Sequence, residues 1–293
     1  MGELIKVFVG TDRSQLFAVA VLDHSIRRHT AARVQVAPLI DLDLPEPKDV
    51  RQGSRTNFSF ARFAIPELTD FRGKAIYLDA DMLVFRDIRG LWDLPFEGKT
   101  ILIQDDVPEH AQSVKPGAPK QRVKQSAVML IDCERARWDV REIVAGLDGR
   151  YTYEELMYQF CFVPEAEIGY RVPFAWNSLE HHDIDTCLLH YTDMNTQPWV
   201  APENPNGRWW FDEVTLMVEE GLVARRDLEQ EVELGFLRPS ALLELVERPH
   251  ARGFDAAAAA RYAAHDAKAG FVKHAEVYAR KRDRARLAKK AAA

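Results

Sequence analysis

Ile5-Lys6-Val7-Phe8-Val9-Gly10-Thr11-Asp12 is a β-branched, apolar run that stops at Gly-Thr-Asp. A run of this kind reads as a buried parallel strand that delivers polar side chains at its C-terminal end. From Ser14 to His29, Leu16, Val19, Ala20, Leu22 and Ile26 recur close to helical spacing, and Arg33 to Ile40 is a second strand candidate. Strand, helix and strand at this length form a βαβ unit. The leading architecture is therefore α/β, a parallel sheet covered by helices.

Working outward, Ser59 to Leu68 reads as a short helix ended by Pro66 and its neighbours. Ala75 to Leu78 is a short apolar strand, broken by Asp79-Ala80-Asp81 before Met82-Leu83-Val84-Phe85 resumes the apolar run. Further buried strands are expected at Lys99 to Gln104, Ala127 to Ile131 and Cys187 to Tyr191. Between them, Val107 to Lys124 is rich in proline and basic residues and reads as a long polar loop, a class that is often functional. Beyond about Pro202 the alternation gives way to helical segments. The last 40 or so residues are rich in Ala, Lys and Arg, a composition that favours a helix loosely packed on the rest. The expected division is 1–200 as one α/β domain, 201–254 as a helical region on it, and 255–293 as a basic helical tail.

Composition narrows the class. Hydrophobic residues at 47% against 29% charged exclude a disordered chain, and no apolar run is long enough for a transmembrane helix. The first residues lack the basic segment and cleavage site of a signal peptide, so they are read as strand. Cys133, Cys161 and Cys187 are widely spaced without a CxxC pattern, which fits a reducing cytoplasm and not a disulfide framework or structural zinc. Net charge is −6, unevenly spread: from Arg261 onward ten Lys and Arg face three acidic residues, an excess of +7 that leaves −13 on the remainder. Such asymmetry bears on partners. The basic end reads either as a contact to an anionic membrane surface or as a solvated helix, and both readings stand open. Nucleic acid is disfavoured because the acidic body repels phosphate.

The chemistry concentrates at Asp79-Ala80-Asp81. A strand end places both carboxylates at the carboxyl edge of the sheet, where open α/β folds bind ligands. Two hard oxygen ligands one residue apart can hold a divalent cation together with substrate phosphates. A plain turn is the alternative, yet two carboxylates inside an apolar stretch are costly unless something positive compensates them. His190, at the end of another strand, could complete the set, and one nitrogen among oxygens tilts preference from magnesium toward manganese. By itself it reads more readily as a hydrogen-bonded, partly buried histidine than as a ligand, and His181-His182 competes for the role in what looks like a solvated loop. Asp12 either caps the following helix or, with Thr11, meets a nucleotide base. Arg62, between Phe60 and Phe63, needs an anion, either a diphosphate or a structural carboxylate.

In their order along the chain these segments resemble glycosyltransferase family 8, the glycogenin and lipopolysaccharide galactosyltransferase group with a GT-A fold. The resemblance runs from about Val7 to Trp199. It is carried by Val-Phe-Val-Gly-Thr-Asp (7–12), Phe-Ala-Arg-Phe-Ala-Ile-Pro-Glu-Leu (60–68) and Ala-Ile-Tyr-Leu-Asp-Ala-Asp-Met-Leu-Val (75–84). Ser-Ala-Val-Met-Leu-Ile-Asp-Cys (126–133), Val-Pro-Phe-Ala-Trp-Asn (172–177), Leu-His-Tyr-Thr-Asp (189–193) and Gln-Pro-Trp (197–199) complete it. The resemblance implies a GT-A domain with a mainly helical C-terminal extension. It also implies retaining transfer of a hexose from a UDP-sugar to a glycan or lipid-linked acceptor, as in lipopolysaccharide biosynthesis. Asp79, Asp81 and His190 would hold the metal, usually manganese and otherwise magnesium. Thr11 and Asp12 would meet uracil and ribose, and Arg62 the donor sugar and phosphates. Asp105 would lie near the sugar hydroxyls, and Ser126 and Ala127 beside the donor sugar; Ala80 and Gln197 complete the donor set. The enzyme would be cytoplasmic, with peripheral contact to the inner membrane surface through 261–293.

Three positions depart from the family pattern. Asp193 replaces a glycine, and Gln197 replaces a lysine whose charge either comes from elsewhere, such as Arg171 or Lys124, or is absent. Tyr153-Glu154-Glu155-Leu156 stands where the family has an Asp-Gln pair, which makes Glu154 the catalytic-side candidate. Two other functions stay in view: a non-catalytic nucleotide-sugar-binding protein of the same fold, and a sugar nucleotidyltransferase. The single glycine at the end of the first strand speaks against the latter, which normally needs a glycine-rich phosphate loop.

Overall fold

The computed structural model describes residues 2–53, 58–105, 124–248, 253–273 and 276. The chain divides into two compact units, 1–190 and 191–293. Most of the expected 107–124 loop and of the basic end beyond residue 276 lies outside the described residues.

In the first unit the opening βαβ is as expected. Strand β1 (Ile5–Gly10) leads through a 3-10 turn (Arg13–Gln15) into α1 (Leu16–Arg28) and then β2 (Val34–Leu39), which pairs parallel to β1. Strand β3 (Lys74–Asp79) joins β1 on its other side, also parallel. Next come β4 (Met82–Val84), β5 (Ile101–Gln104), β6 (Val128–Asp132) and β7 (Ile168–Val172). The six-stranded sheet has the order β2-β1-β3-β6-β5-β7.

The expectation of a parallel sheet needs correction here. Strand β6 runs antiparallel to both β3 and β5, while β5 and β7 are parallel. Buried parallel and buried antiparallel strands have the same apolar composition when both faces are covered, so local sequence does not reveal direction. Both faces are covered: Ala75 and Tyr77 enter one apolar cluster with Phe60, Phe63 and Met129, whereas Ile76 and Leu78 enter a second with Leu22, Val84 and Trp92. Alternation along a strand sends neighbours to opposite faces, and two covered faces turn alternation into an unbroken apolar run.

A second, three-stranded sheet is built from β4, β8 (Ser178–Leu179) and β9 (Leu188–His190) in the order β4-β9-β8. The chain therefore leaves the large sheet at Asp79 and enters the small one at Met82. Ser25 on α1 ties the small sheet down: its hydroxyl donates to Leu22 O at 2.7 Å and accepts from Val84 N at 3.1 Å.

The segment before β3 also differs from expectation. It is a 3-10 turn (Ala61–Ala64) followed by a single helical turn, α2 (Ile65–Leu68), and Pro66 lies in the first turn of α2 instead of ending it. Proline has no N–H to lose there, since the first helical N–H groups have no intrahelical partner in any case. Helices α3 (Arg89–Trp92), α4 (Val140–Ala145) and α5 (Tyr153–Gln159) complete the unit.

The second unit contains α6 (Gly207–Glu219), α7 (Arg225–Glu233), α8 (Ala241–Glu247) and α9 (Ala256–Lys268). The alanine-rich stretch is packed more firmly than its composition suggests. Tyr262 is 1% exposed, and the Asp266 carboxylate accepts from Ser240 N and Ser240 Oγ, both at 2.7 Å. Arg238, also 1% exposed, donates through Nε to Pro198 O at 2.9 Å and pairs with Glu244. Among the described residues no helix is long and apolar enough to cross a membrane.

Candidate metal and donor site

Asp79 is the last residue of β3, and its backbone N–H still donates to Ala127 O at 3.1 Å. Ala80, buried, donates from its N–H to Gly10 O at 3.2 Å, so the turn between the two carboxylates is pinned to the end of β1. Asp81 immediately precedes β4, and the antiparallel pairing of Met82 with His190 sets β9 alongside it. His190 Nε2 lies 3.1 Å from Asp81 Oδ1. One ligand atom each from Asp79, Asp81 and His190 fall within 4.8 Å of one another.

That spacing fits a cation. Oxygen and nitrogen ligands bound at roughly 2.0–2.6 Å from a common ion lie within about 5 Å of each other. Two oxygens and one nitrogen suit magnesium or manganese, with the imidazole weighing toward manganese. Electrostatics point the same way. Burial pushes the Asp79 carboxyl above its ordinary value, opposed by Arg62, while Asp81 pushes it further up. Burial holds His190 down, yet Asp81, by charge and hydrogen bond, together with Asp79 and Glu180 raises it, and the imidazole ends above its ordinary value. Two carboxylates at close quarters disfavour each other's charge, and a divalent cation would relieve that repulsion.

Behind the carboxylates stands a cationic brace. Arg62 is buried on the 3-10 turn that precedes α2. Its Nη1 donates to Ser126 O and Ser126 Oγ, both at 2.8 Å, and its Nη2 lies 3.4 Å from Asp79 Oδ1. The guanidinium rests over the Tyr77 ring at 4.5 Å, and Tyr77 Oη donates to Asp79 Oδ1 at 2.6 Å. Arg62 Nε is buried and has no hydrogen-bond partner among the described residues. Gly10 makes room for this arrangement, since a Cβ there would sit 2.1 Å from Tyr77 Oη. Burial and the neighbouring carboxylates keep the Tyr77 phenol protonated, well above its ordinary value, although Arg62 opposes this.

The other expected residues divide. Thr11 is buried directly after β1, and its Oγ1 donates to Asp12 O at 3.1 Å. Asp12 caps the 3-10 turn, accepting from Ser14 N at 2.9 Å and Ser14 Oγ at 2.6 Å. Ala127 is buried beside β6, and Ser126 is the anchor of Arg62. Asp105 is exposed just past β5, its N–H bonded to Val172 O at 2.9 Å. Glu154 is exposed in the first turn of α5. Gln197 belongs to the second unit, where it is buried and donates from Nε2 to Tyr191 O at 3.1 Å. The two cations considered as substitutes for the family lysine are engaged elsewhere: Lys124 with Glu165 at 2.6 Å and Gln159 O at 2.7 Å, Arg171 with Glu97. Of the competing histidines, His181 pairs with Asp183 at 2.9 Å and the His182 ring packs on Phe85 at 4.8 Å.

Sequence reasoning missed three residues at this site. Tyr77 looked like a strand hydrophobe, Gln104 like the last residue of a buried strand, and Asn177 carried no role inside Val-Pro-Phe-Ala-Trp-Asn. The signal available for Gln104 and Asn177 was polarity in a buried stretch, since buried amides must be hydrogen-bonded.

Comparison with known proteins agrees with this fold. The model for "Glycosyl transferase family 8" matches residues 20–139. Among curated proteins the chain is similar to Protein CDI of Arabidopsis thaliana, 31% identical over 217 residues that cover 71% of this chain and 80% of that one. It is also similar to General stress protein A of Bacillus subtilis (strain 168), 24% identical over 149 residues, 46% of this chain and 52% of the relative. Among solved structures, the bifunctional glycosyltransferase WbbM in its apo form matches with a TM-score of 0.55 at 12% identity. The match covers 73% of this chain, which spans 50% of that one. The mixed α/β sheet with its helical C-terminal unit is thus the GT-A fold. With the Asp79-Ala80-Asp81 corner inside an α/β sheet of that type and a relative of 31% identity over most of its length, the chain belongs to glycosyl transferase family 8.

Proposed function

We propose that this glycosyltransferase moves a hexose from a UDP-sugar onto a glycan or lipid-linked acceptor with retention at the anomeric carbon. The observation that carries the reading is the convergence of Asp79, Asp81 and His190 within 4.8 Å. Those three residues hold the divalent cation, manganese by preference. When bound, the cation supplies Lewis-acid neutralisation of the charge that gathers on the leaving diphosphate. Arg62 Nε, a buried donor without a partner among the described residues, faces an oxygen of the donor sugar or phosphate. Thr11, Asp12, Ala80, Ser126 and Ala127 line the donor, and Asp105 and Glu154 serve the reacting end.

In the transfer step the acceptor hydroxyl attacks the anomeric carbon on the face that the diphosphate leaves. The bond from that carbon to the diphosphate oxygen breaks, and the hydroxyl proton passes to the departing phosphate. Positioning and preorganised charge do the work, so no side-chain base is needed. In domain terms, 1–200 forms the catalytic domain, 201–254 the helical region and 255–293 the basic tail. The protein works in the cytoplasm with the tail near an anionic membrane surface, in a pathway such as lipopolysaccharide assembly.

Calorimetric titration with UDP tests the reading. Binding is expected in manganese, absent in EDTA, and absent in Asp79→Ala. UDP binding that is indifferent to manganese, to EDTA and to Asp79→Ala would refute the site. A second reading, donor binding without turnover, is favoured by one observation: Gln197 is neutral and already bonded to Tyr191 O. Under it, UDP binds as above but no UDP-sugar is hydrolysed or transferred.

A further inference from the structure

His190 does not stand alone against the carboxylates. Its Nδ1 lies 2.9 Å from Asn177 Oδ1, and Asn177 Nδ2 donates to Gln104 Oε1 at 2.5 Å. All three are buried: Asn177 is 0% exposed, Gln104 1% and His190 6%. Gln104 ends β5, paired with Val172 at the end of β7. From there Pro173 and the 3-10 turn Phe174–Trp176 bring Asn177 into place, with Asn177 N donating to Phe174 O at 2.8 Å. The large sheet thus reaches through two amides to an imidazole in the small sheet.

We propose that Gln104 and Asn177 are positioning residues, a buried amide relay that keeps the His190 hydrogen on Nδ1 and leaves the Nε2 lone pair for a divalent cation. The proposal deepens, and rests on, the reading of Asp79, Asp81 and His190 as a cation site.

The argument is one of hydrogen-bond polarity. An amide pair in series has a direction: Asn177 donates to Gln104 from Nδ2, so it offers Oδ1 to the ring, and an oxygen acceptor requires N–H at Nδ1. Reversing both amides would aim Asn177 Nδ2 at Nδ1 and place the hydrogen on Nε2, closing the nitrogen that faces Asp81. Gln104 Nε2 is buried and has no hydrogen-bond partner among the described residues, so this direction leaves one donor unsatisfied. Ligand histidines commonly bond their second nitrogen to a carboxylate or carbonyl, which fixes tautomer and ring orientation. Here an amide does so, and a second amide fixes the first.

Two measurements on the full chain test this. The first is nitrogen-15 NMR of histidine-labelled protein without metal, His190 being assigned from His190→Gln. A slowly exchanging Nδ1–H is expected, and it should be lost in Asn177→Leu. A ring whose Nδ1 bears no hydrogen overturns the relay. The second is calorimetric titration with manganese alone. Asn177→Leu is expected to weaken binding by roughly 10- to 100-fold and Gln104→Leu by several-fold. Asn177→Asp keeps an acceptor, and a half-turn of the Gln104 amide meets it with a donor; this variant should bind manganese within about threefold of the parent. Equal affinity in all variants overturns the proposal. Should Asn177→Leu fail to fold, Gln104→Leu and Asn177→Asp carry the same comparison. Absence of manganese binding in the parent would overturn the cation reading itself, and the ring signal would still decide the relay.

Discussion

Gly10→Ala is the substitution that most directly tests how the strands build the site. The added Cβ would lie 2.1 Å from Tyr77 Oη, 2.9 Å from its Cζ and 3.0 Å from its Cε2, so the ring must move. That ring supports Arg62 at 4.5 Å and donates to Asp79 Oδ1 at 2.6 Å. Overpacking of a close-fitted core costs about 1–3 kcal/mol. Loss of a hydrogen bond to a charged group adds roughly 1.5–3 kcal/mol. Gly10→Ala should therefore destabilise the first unit by about 2.5–6 kcal/mol, an effect of packing and not of backbone strain. Tyr77→Phe loses only the hydrogen bond, about 1.5–3 kcal/mol. In the double variant that bond can be lost only once and the 2.1 Å clash is removed, so the effects should fall short of additivity by at least 1.5 kcal/mol or so. Denaturant titration gives the stabilities, and hydrogen exchange at the amides of β1 and β3 shows that the loss belongs to these strands. A Gly10→Ala protein within 0.5 kcal/mol or so of the parent, or strictly additive effects, would refute the reasoning.

Four further outcomes follow from the same geometry. Asp81→Ala should abolish metal-dependent transfer while circular dichroism stays unchanged, because the carboxylate supports a cation and not the core; near-normal turnover would remove the assignment. In metal-free protein the raised His190 value means that the His190–Asp81 pair stabilises fully below the ordinary imidazole value of 6.5 and loses that contribution as pH rises through the raised value. Denaturant midpoints in EDTA should fall across that window, and the fall should vanish in His190→Gln. Asp87, lowered to about 2 chiefly by Arg89, also accepts from Thr30 Oγ1 at 2.7 Å; its stabilisation is present above the usual carboxylate range and lost as pH falls toward 2. Asp87→Asn should remove that acid-side loss, at a cost near neutral pH of about 1 kcal/mol, small because the group is partly solvated. In the second unit, Asp266→Ala leaves Ser240 N and Oγ without an acceptor and should cost about 2–4 kcal/mol by denaturant titration; an unchanged midpoint would show that α9 is not held by this contact.

The opening βαβ unit, the corner at Asp79-Ala80-Asp81 and the family were all legible in the order of the residues. These are local statements. Periodicity near 3.6 across Leu16 to Ile26 requires a helix, β-branched runs require strands, and two carboxylates inside an apolar run require a counter-charge. His190 was legible as a candidate because it ends an apolar strand, though its alternative as a core histidine was equally local. Everything that depends on strand direction and register came from packing in three dimensions. Antiparallel β6 looks no different in composition from a parallel neighbour. His190 meets Asp81 because Met82 pairs with His190 across β4 and β9, and a shift by one residue would turn the imidazole to the opposite face. Gln104 and Asn177, 73 positions apart, become partners of each other, and Asn177 of that imidazole, only when β5, β7 and the turn after it converge. Tyr77 becomes a prop for Asp79 only because Gly10 on the neighbouring strand leaves space for its hydroxyl. Sequence patterns encode what a segment must bury, whereas hydrogen-bond partners across strands are fixed by where burial of all the segments together leaves them.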